Sequence, residues 1–261
     1  MTDTRPFCHS LFEYRRNKTI AVQVGNIGIG GNNPVRIQSM TTTNTLDTEA
    51  SAAQAIAIIK AGGELVRLTT QGQREAANLK NIKEKLLEKG FETPLSADIH
   101  FNPNAAEIAA TLVEKVRINP GNFVGGAKKF DFEAHANTDD AQALAEIREK
   151  LVPLLDICKK HNTALRIGVN HGSLSDRIMA RYGDTPAGMV ASCMEYLRIC
   201  RQESFHNIII SIKSSNTRVM VHTVRLLAAT MHDEQMAYPL HLDVTEAGSE
   251  EEGRIKSAVG T

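Results

Sequence analysis

Four cationic side chains stand at matching places in this sequence, each near the C-terminal end of a short apolar run. Arg67 lies in LVRLTT (65–70), Arg117 in KVRINPGN (115–122), Arg166 in LRIGVNHGS (165–173) and Lys213 in IIISIKSSN (208–216). Alternate residues of an extended strand share a face, so Arg117 points the same way as Asn119, and Arg166 the same way as Gly168 and Asn170. Three guanidiniums and an ammonium converging on one mouth repel one another severely unless an anion lies between them. A guanidinium offers phosphate oxygens a planar bidentate fork and an ammonium offers a point charge, which makes a diphosphate the natural guest. Asn119, Asn170, Ser173 and Ser214 are placed to satisfy its remaining lone pairs, and backbone N–H groups around Gly121 and Gly172 add to them.

The acidic members are Asp98, Asp243 and Glu246, and the imidazoles are His100 and His241. Asp98 and His100 lie two apart, hence on one face, where a carboxylate positions an imidazole for proton transfer. Glu246 stands just beyond the seventh apolar run in a field of positive charge, suited to protonating a leaving oxygen or to ligating a metal. Plainer readings stand beside these. A single strand-end arginine is commonly one half of a structural ion pair, with Asp98 or Asp243 as its partner, and His241 fits a packed interior as well as a catalytic position. For four cations together the plain reading requires four independent coincidences, and the anion site is favoured.

The elements that carry these residues repeat. VRIQSMT (35–41), PLSADIHF (94–101) and PLHLDVTEAG (239–248) join the four runs above to make seven β-rich segments, each followed by a helical pattern. Seven such units describe an α/β fold of the TIM-type (β/α)8 barrel class, whose chemistry sits at the C-terminal strand ends. Helices are expected over 47–61 (stopped by Gly62-Gly63), 73–89 and, after the capping Asn102-Pro103, a short third. Further helices are expected over 141–161, 186–202, 217–232 and from about 249, where three Glu suit the helix dipole. The glycines at 25, 28, 30 and 31 lie between two short strands with no helix after them. That pattern reads as a hairpin closing the barrel's bottom rather than as a phosphate loop. The charged stretch 123–140, with Lys128, Lys129, Asp139 and Asp140 read as solvated charges, is taken as a surface insertion. The chain is expected to be one incomplete barrel over 1–261, truncated before its eighth strand, because a barrel missing a stave has two open edges.

Composition sets the outer limits. A length of 261 residues suits one barrel, and 30 basic against 30 acidic residues give no support to a nucleic-acid or membrane-surface partner. There is no apolar run long enough for a membrane span and no secretory leader at 1–18, so a cytoplasmic setting is expected, or a plastid stroma if a transit peptide has been removed. The four cysteines, Cys8, Cys158, Cys193 and Cys200, show no C-x2-C spacing, and no metal site is expected in this chain.

In order along the chain, RIQSMT, VRLT, ADIHF, RINPGN, RIGVNHGSLS, SIKSSN and DVTEAG resemble the N-terminal barrel of the 4-hydroxy-3-methylbut-2-enyl diphosphate synthase family, over about residues 15–261. The segment after NPGN looks like the larger form found in plants and some bacteria. The resemblance implies an isoprenoid-pathway oxidoreductase that reductively opens 2-C-methyl-D-erythritol 2,4-cyclodiphosphate and expels a hydroxyl as water. It implies a [4Fe–4S] cluster held by a separate C-terminal domain that this chain lacks, with ferredoxin or flavodoxin as electron donor. By motif, Arg67, Arg117, Arg166 and Lys213 should grip the diphosphate with Asn119 and Asn170. Asp98 and His100 should line the pocket, and Glu246 should be the acid near the departing oxygen. On this reading the chain alone binds substrate and does not turn it over. Three alternatives remain: a dihydropteroate-synthase-like barrel using Asp98, Asn119 and Lys213 around a pterin diphosphate; a Schiff-base aldolase on Lys213; and a non-catalytic anion-sensing domain.

Overall fold

The computed structural model describes residues 10, 12–13, 15–125 and 140–261. Strands β3 (Gln38–Met40), β4 (Leu65–Thr70), β5 (Leu95–Ile99), β6 (Lys115–Ile118), β7 (Ala164–Asn170), β8 (Ile208–Ser214) and β9 (Asp243–Val244) form one parallel sheet in sequence order. The helices between them are α1 (Thr48–Lys60), α2 (Gln73–Glu88), α3 (Pro103–Ala110), α4 (Pro120–Phe123), α5 (Asp140–His161), α6 (Asp176–Tyr182), α7 (Pro186–Gln202), α8 (Thr217–Asp233) and α9 (Glu250–Gly260). The sheet curls, because Lys115 on β6 reaches across its concave side to Gln38 on the edge strand β3, Nζ to Oε1 at 2.5 Å.

The helix ends follow their local chemistry. Asp47, Asn102, Ser175, Thr185 and Asn216 each accept a backbone N–H in the first turn of the helix that follows. Gly62 and Gly90, at φ +98° and +80°, take the left-handed conformation that ends α1 and α2. Helix α6 was not expected from the periodicity. Its signals are nonetheless present in the cap Ser175 and the stop Gly183 at φ +67°.

The two faces of the sheet have different chemistry. Outward residues, among them Leu68, Ile99, Ile118, Ile167 and Ile210, pack against Leu79, Ile82, Leu86, Leu151 and Leu154 of the helices in the main core. On the concave side an apolar floor lies at the bottom of the sheet. There Val22 and Val24 of the antiparallel hairpin β1 (Ala21–Val24) and β2 (Ile27–Gly30) pack on Leu65, Ala164 and Ile209. The hairpin thus closes the bottom as anticipated, and Ile20 N–H donates to Ala237 O at 2.7 Å to tie it beneath β9.

Three expectations need adjustment. The outer strands are shorter than their β-rich sequences suggest: β3 keeps three residues and β9 two, with one further bridge between Ile210 and Leu240. Each has a neighbour on one side only, so half of its ladder bonds are unavailable. Phe123, read as the start of the insertion, is buried in the core with its ring edge toward Tyr196 at 6.4 Å. Asp140 at the other end is an ion-pair residue, bonded to Arg177 at 2.9 Å and to Arg181. Lys128, Lys129 and Asp139 lie outside the described residues.

Val24 is fully buried in the hairpin plug. Val24→Ala removes two methyl groups there and is expected to cost about 2 kcal/mol by transfer and cavity terms. A shift in the urea midpoint at unchanged slope would measure it.

Candidate functional site

Beyond the apolar floor the concave face turns polar, and the pleat decides which side chains reach it. Arg67, Asp98, Lys115, Arg117, Arg166 and Lys213 all sit on inward positions and all are buried. The strand-end cations therefore converge, and the register sets Arg117 directly opposite both Asp98 and Arg166.

Two carboxylates stand among the cations. Asp98 accepts from Arg117 Nη1 at 3.0 Å and lies 3.5 Å from Arg67 Nε. One oxygen of Asp243, Oδ2, lies 2.5 Å from Lys213 Nζ, 3.8 Å from Arg166 Nη2 and 3.9 Å from Arg67 Nη1. The plainer reading of strand-end arginines as ion-pair members is thus partly realised, with both Asp98 and Asp243 as partners. Burial raises the carboxyl pKa of Asp98, but Arg117 and Arg67 outweigh it and hold the group below the usual range. Lys213, Arg166 and Arg67 do the same for Asp243.

The pairing leaves donors over. Arg166 is fully buried and gives Nε to Ser211 Oγ at 2.8 Å, yet neither Nη has a hydrogen-bond acceptor among the described residues. Arg67 Nε and Nη1 are in the same condition. Buried guanidinium N–H groups without acceptors are costly, so the cleft is built for an oxygen-rich ligand. Arg117 differs from the other two, because its Nη atoms are occupied by Asp98, by Gly168 O at 2.9 Å and by Asn170 Oδ1 at 2.9 Å. It organises the mouth more than it faces it.

The remaining nominated residues divide. Asn119 Nδ2 donates to Ser173 Oγ at 3.0 Å, and its Oδ1 caps Gly121 N–H at the start of α4, so these two residues brace one corner. Ser214 falls on the alternate face from Lys213, and its hydroxyl accepts Asn216 N–H at 3.1 Å in the turn before α8. It is not brought to the cleft. His100 follows Asp98 on the inward side, half-buried, its imidazole pKa lowered by burial and nearby arginines against the pull of Asp98. Glu246 is exposed at φ +50° and forms no ion pair with the four cations.

Two features escaped the reading of strand ends. Lys115, two residues before Arg117 and so on the same face, is buried at 1 % exposure with no carboxylate partner among the described residues. Burial, Arg166 and Arg67 drive its pKa well below that of a free lysine. The spacing signal was present, but the strand's start drew no attention. Gly168 makes room for Arg117, since a Cβ there would lie 2.4 Å from Arg117 Nε.

Among the described residues no three His, Cys, Asp or Glu side chains converge to hold a metal ion. Cys158, Cys193 and Cys200 are buried core residues, and burial pushes the thiols of Cys158 and Cys200 up to about 12. No described helix is long and apolar enough to cross a membrane.

The fold and its cleft define a TIM-barrel-type α/β domain with a cationic, partly unsatisfied concave face at the C-terminal strand ends. The family profile described as the GcpE TIM-barrel domain matches residues 19–261, and the chain belongs to that family. It is 62% identical over 249 residues to the 4-hydroxy-3-methylbut-2-en-1-yl diphosphate synthase (flavodoxin) of Parabacteroides distasonis, covering 95% of this chain and 41% of that protein. Identity to the protein of the same name from Phocaeicola vulgatus is 60% over 250 residues, covering 96% of this chain and 41% of that one. The chain thus spans about two fifths of the length of these relatives. In fold alone it is similar to the type I 3-dehydroquinate dehydratase of Clostridium difficile, with a TM-score of 0.50 at 14% identity over 85% of this chain and 79% of that one.

Gly168→Ala is expected to push Arg117 off Asp98 and Asn170, lowering affinity for a diphosphate diester about tenfold while costing about 1–3 kcal/mol of stability. Calorimetric titration and urea unfolding of the same variant check the two numbers. Lys213 supplies a pH dependence. Burial and the neighbouring Arg166 and Arg67 lower its pKa to about 8, against the support of Asp243. Affinity for P1,P2-dimethyl diphosphate, whose own charge is fixed in this range, should therefore fall as pH rises through about 8. Lys213→Arg, which stays protonated, should flatten that profile. Stability runs the other way, because the folded pKa lies below the unfolded one. Between the two values the unfolded chain binds more protons, and stability rises with pH.

Proposed function

We propose that this chain is the substrate-holding barrel of a 4-hydroxy-3-methylbut-2-en-1-yl diphosphate synthase and binds 2-C-methyl-D-erythritol 2,4-cyclodiphosphate in its cationic cleft. The observation that carries this reading is Arg166, fully buried with both Nη groups lacking an acceptor. It stands beside Arg67, whose Nε and Nη1 are likewise open. The family match supports this substrate class, and the names of the relatives, which carry flavodoxin, support flavodoxin as the electron donor of the whole enzyme.

In the reaction proposed for the whole enzyme, two electrons and one proton convert the cyclodiphosphate dianion to the open-chain diphosphate trianion and water. The barrel's own residues hold and orient. Arg166 and Arg67 take non-bridging oxygens through their open N–H groups, and Lys213 adds a point charge. Arg117 acts through its bonds to Asp98 and Asn170, keeping the mouth's shape. Asn119 and Ser173 brace its rim, and His100 lines the inward side above Asp98. Glu246, exposed on the loop after β9, is assigned the acid beside the departing hydroxyl once substrate draws that loop inward. The described residues do not fit an iron–sulfur cluster, since the three described cysteines are buried in the core and no metal-binding group is present among them. We assign the [4Fe–4S] centre of the whole enzyme, which supplies the electrons, to residues outside this chain.

Titration with the cyclodiphosphate tests the proposal. Saturable binding is expected, weakened about 10–100-fold in Arg166→Ala and less in Arg117→Ala, since a charged hydrogen bond contributes roughly 1.5–3 kcal/mol. A folded chain that binds inorganic anions but not this ligand would overturn the substrate assignment.

A further inference from the structure

The charges of the cleft do not balance. Arg67, Arg117, Arg166 and Lys213 bring four positive charges, while Asp98 and Asp243 return two negative ones through the contacts at 2.5–3.9 Å. The other ionisable groups facing the cleft, His241, Lys115 and His100, are bases and bring no negative charge to it. Burial and the surrounding cations drive His241 well below an ordinary imidazole and Lys115 well below an ordinary lysine, and His100 is lowered too. Glu246 is exposed and pairs with none of the four cations. Among these six paired groups, four positive charges against two negative ones leave an excess of two positive charges.

The two carboxylates are not equivalent. Asp98 is buried, with an oxygen committed to Arg117 at 3.0 Å, and belongs to the frame of the cleft. Asp243 lies on the two-residue edge strand β9 with its side chain 28% exposed. Its single Oδ2 sits where Lys213, Arg166, Arg67 and His241 Nε2 (3.9 Å) converge, and that focus includes Arg166 Nη2 and Arg67 Nη1, which have no hydrogen-bond acceptor. It is therefore the fixed negative charge nearest to any bound anion.

We propose that Asp243 is a specificity-determining residue, lending the mouth one negative charge so that the site favours a dianionic diphosphate diester over a trianionic diphosphate monoester. This rests on the substrate reading above for its biological meaning, because the ring-closed substrate is the dianion and the open-chain product the trianion. Each charge on a ligand is repelled by the Asp243 carboxylate, and the third charge adds one further unit of repulsion at close range. For charges a few ångströms apart at the effective dielectric of a partly exposed site, that unit corresponds to about tenfold in affinity. The same repulsion favours release of product after ring opening.

The test is calorimetric titration at pH 7.5 with P1,P2-dimethyl diphosphate (dianion), methyl diphosphate (trianion) and the cyclodiphosphate. It compares the unaltered chain with Asp243→Asn and Asp243→Glu, with circular dichroism and thermal melts confirming that each is folded. Asp243→Asn should raise the trianion-to-dianion affinity ratio about tenfold, and Asp243→Glu should keep the original ratio. Repeating Asp243→Asn in a Lys213→Arg background fixes the charge at position 213, and Asp243→Ser replaces the Asn variant should that one not fold. A ratio unchanged in Asp243→Asn, with both ligands weakened or strengthened alike, would overturn the proposal and leave Asp243 a structural ion-pair residue. A ratio that shifts as expected while the cyclodiphosphate fails to bind would uphold it and sink the substrate reading instead. Failure of every ligand to bind the folded chain would overturn both.

Discussion

The constraint on which the rest of this molecule depends is the burial of like charges. Arg67, Arg117, Arg166 and Lys213 are withdrawn from water on the concave face of one sheet, with Lys115 beneath them. A desolvated cation is expensive, and one beside other cations more so. The structure meets that cost with two carboxylates, with the amide oxygens of Asn170 and Gln38, and with the carbonyl of Gly168. The compensation is incomplete, since five N–H-bearing nitrogens of Arg67, Arg117 and Arg166 keep no acceptor among the described residues. Stability alone would favour apolar residues at such positions, as in an ordinary barrel interior. Their presence on one face, with donors left over, is the feature on which the proposed anion site rests.

The scaffold makes such a cleft tolerable. The apolar content of the strands is moved outward, where Ile and Val of alternate positions meet the helices, and the bottom is sealed by Val22 and Val24 of the hairpin. The domain is thus held together by an outer shell and a floor, leaving the upper interior free for polar work. Parallel strands covered on both faces usually read as continuous apolar runs. In β5, β6 and β7 the run is broken at every inward position above the floor, as in the alternation of Ser96 and Asp98 or of Lys115 and Arg117.

That alternation explains how much was legible in advance. Strand order, the spans of the longer helices and the convergence of the four cations follow from period-two spacing and from caps such as Asp47, Asn102 and Asn216, because these are local consequences of residue type. What spacing cannot supply is the division of labour within the cluster. Arg117 and Arg166 look equivalent in sequence, each two residues before an Asn or Gly. Only the register shows that Gly168 opens a slot through which Arg117 spends both Nη groups on the protein and leaves Nε over, whereas Arg166 gives Nε to Ser211 and keeps both Nη groups. Ser214 lies away from the cleft for a related reason. It adjoins Lys213 in sequence, and adjacency in a strand means opposite faces. Lys115 was missed because strand-end reasoning looks for function at one end of each strand, and a charge at the other end falls outside that search.

Asp243 shows how a fixed carboxylate shapes a site from the edge of a sheet. Placed on β8 or β7 it would be locked by ladder bonds on both sides. On β9 it is held only through Lys213 and Ser214, on a two-residue strand followed by Glu246 and Gly248 at φ +50° and +108°. Its side chain is the more exposed of the two acids. An anion entering among Lys213, Arg166 and Arg67 meets a carboxylate oxygen already at their focus, and the two must share the cations or the carboxylate must yield. Either outcome changes the balance of charge at Asp243 on β9, three residues before Glu246. In this way the charge at the mouth is set from the same edge strand whose following loop carries Glu246.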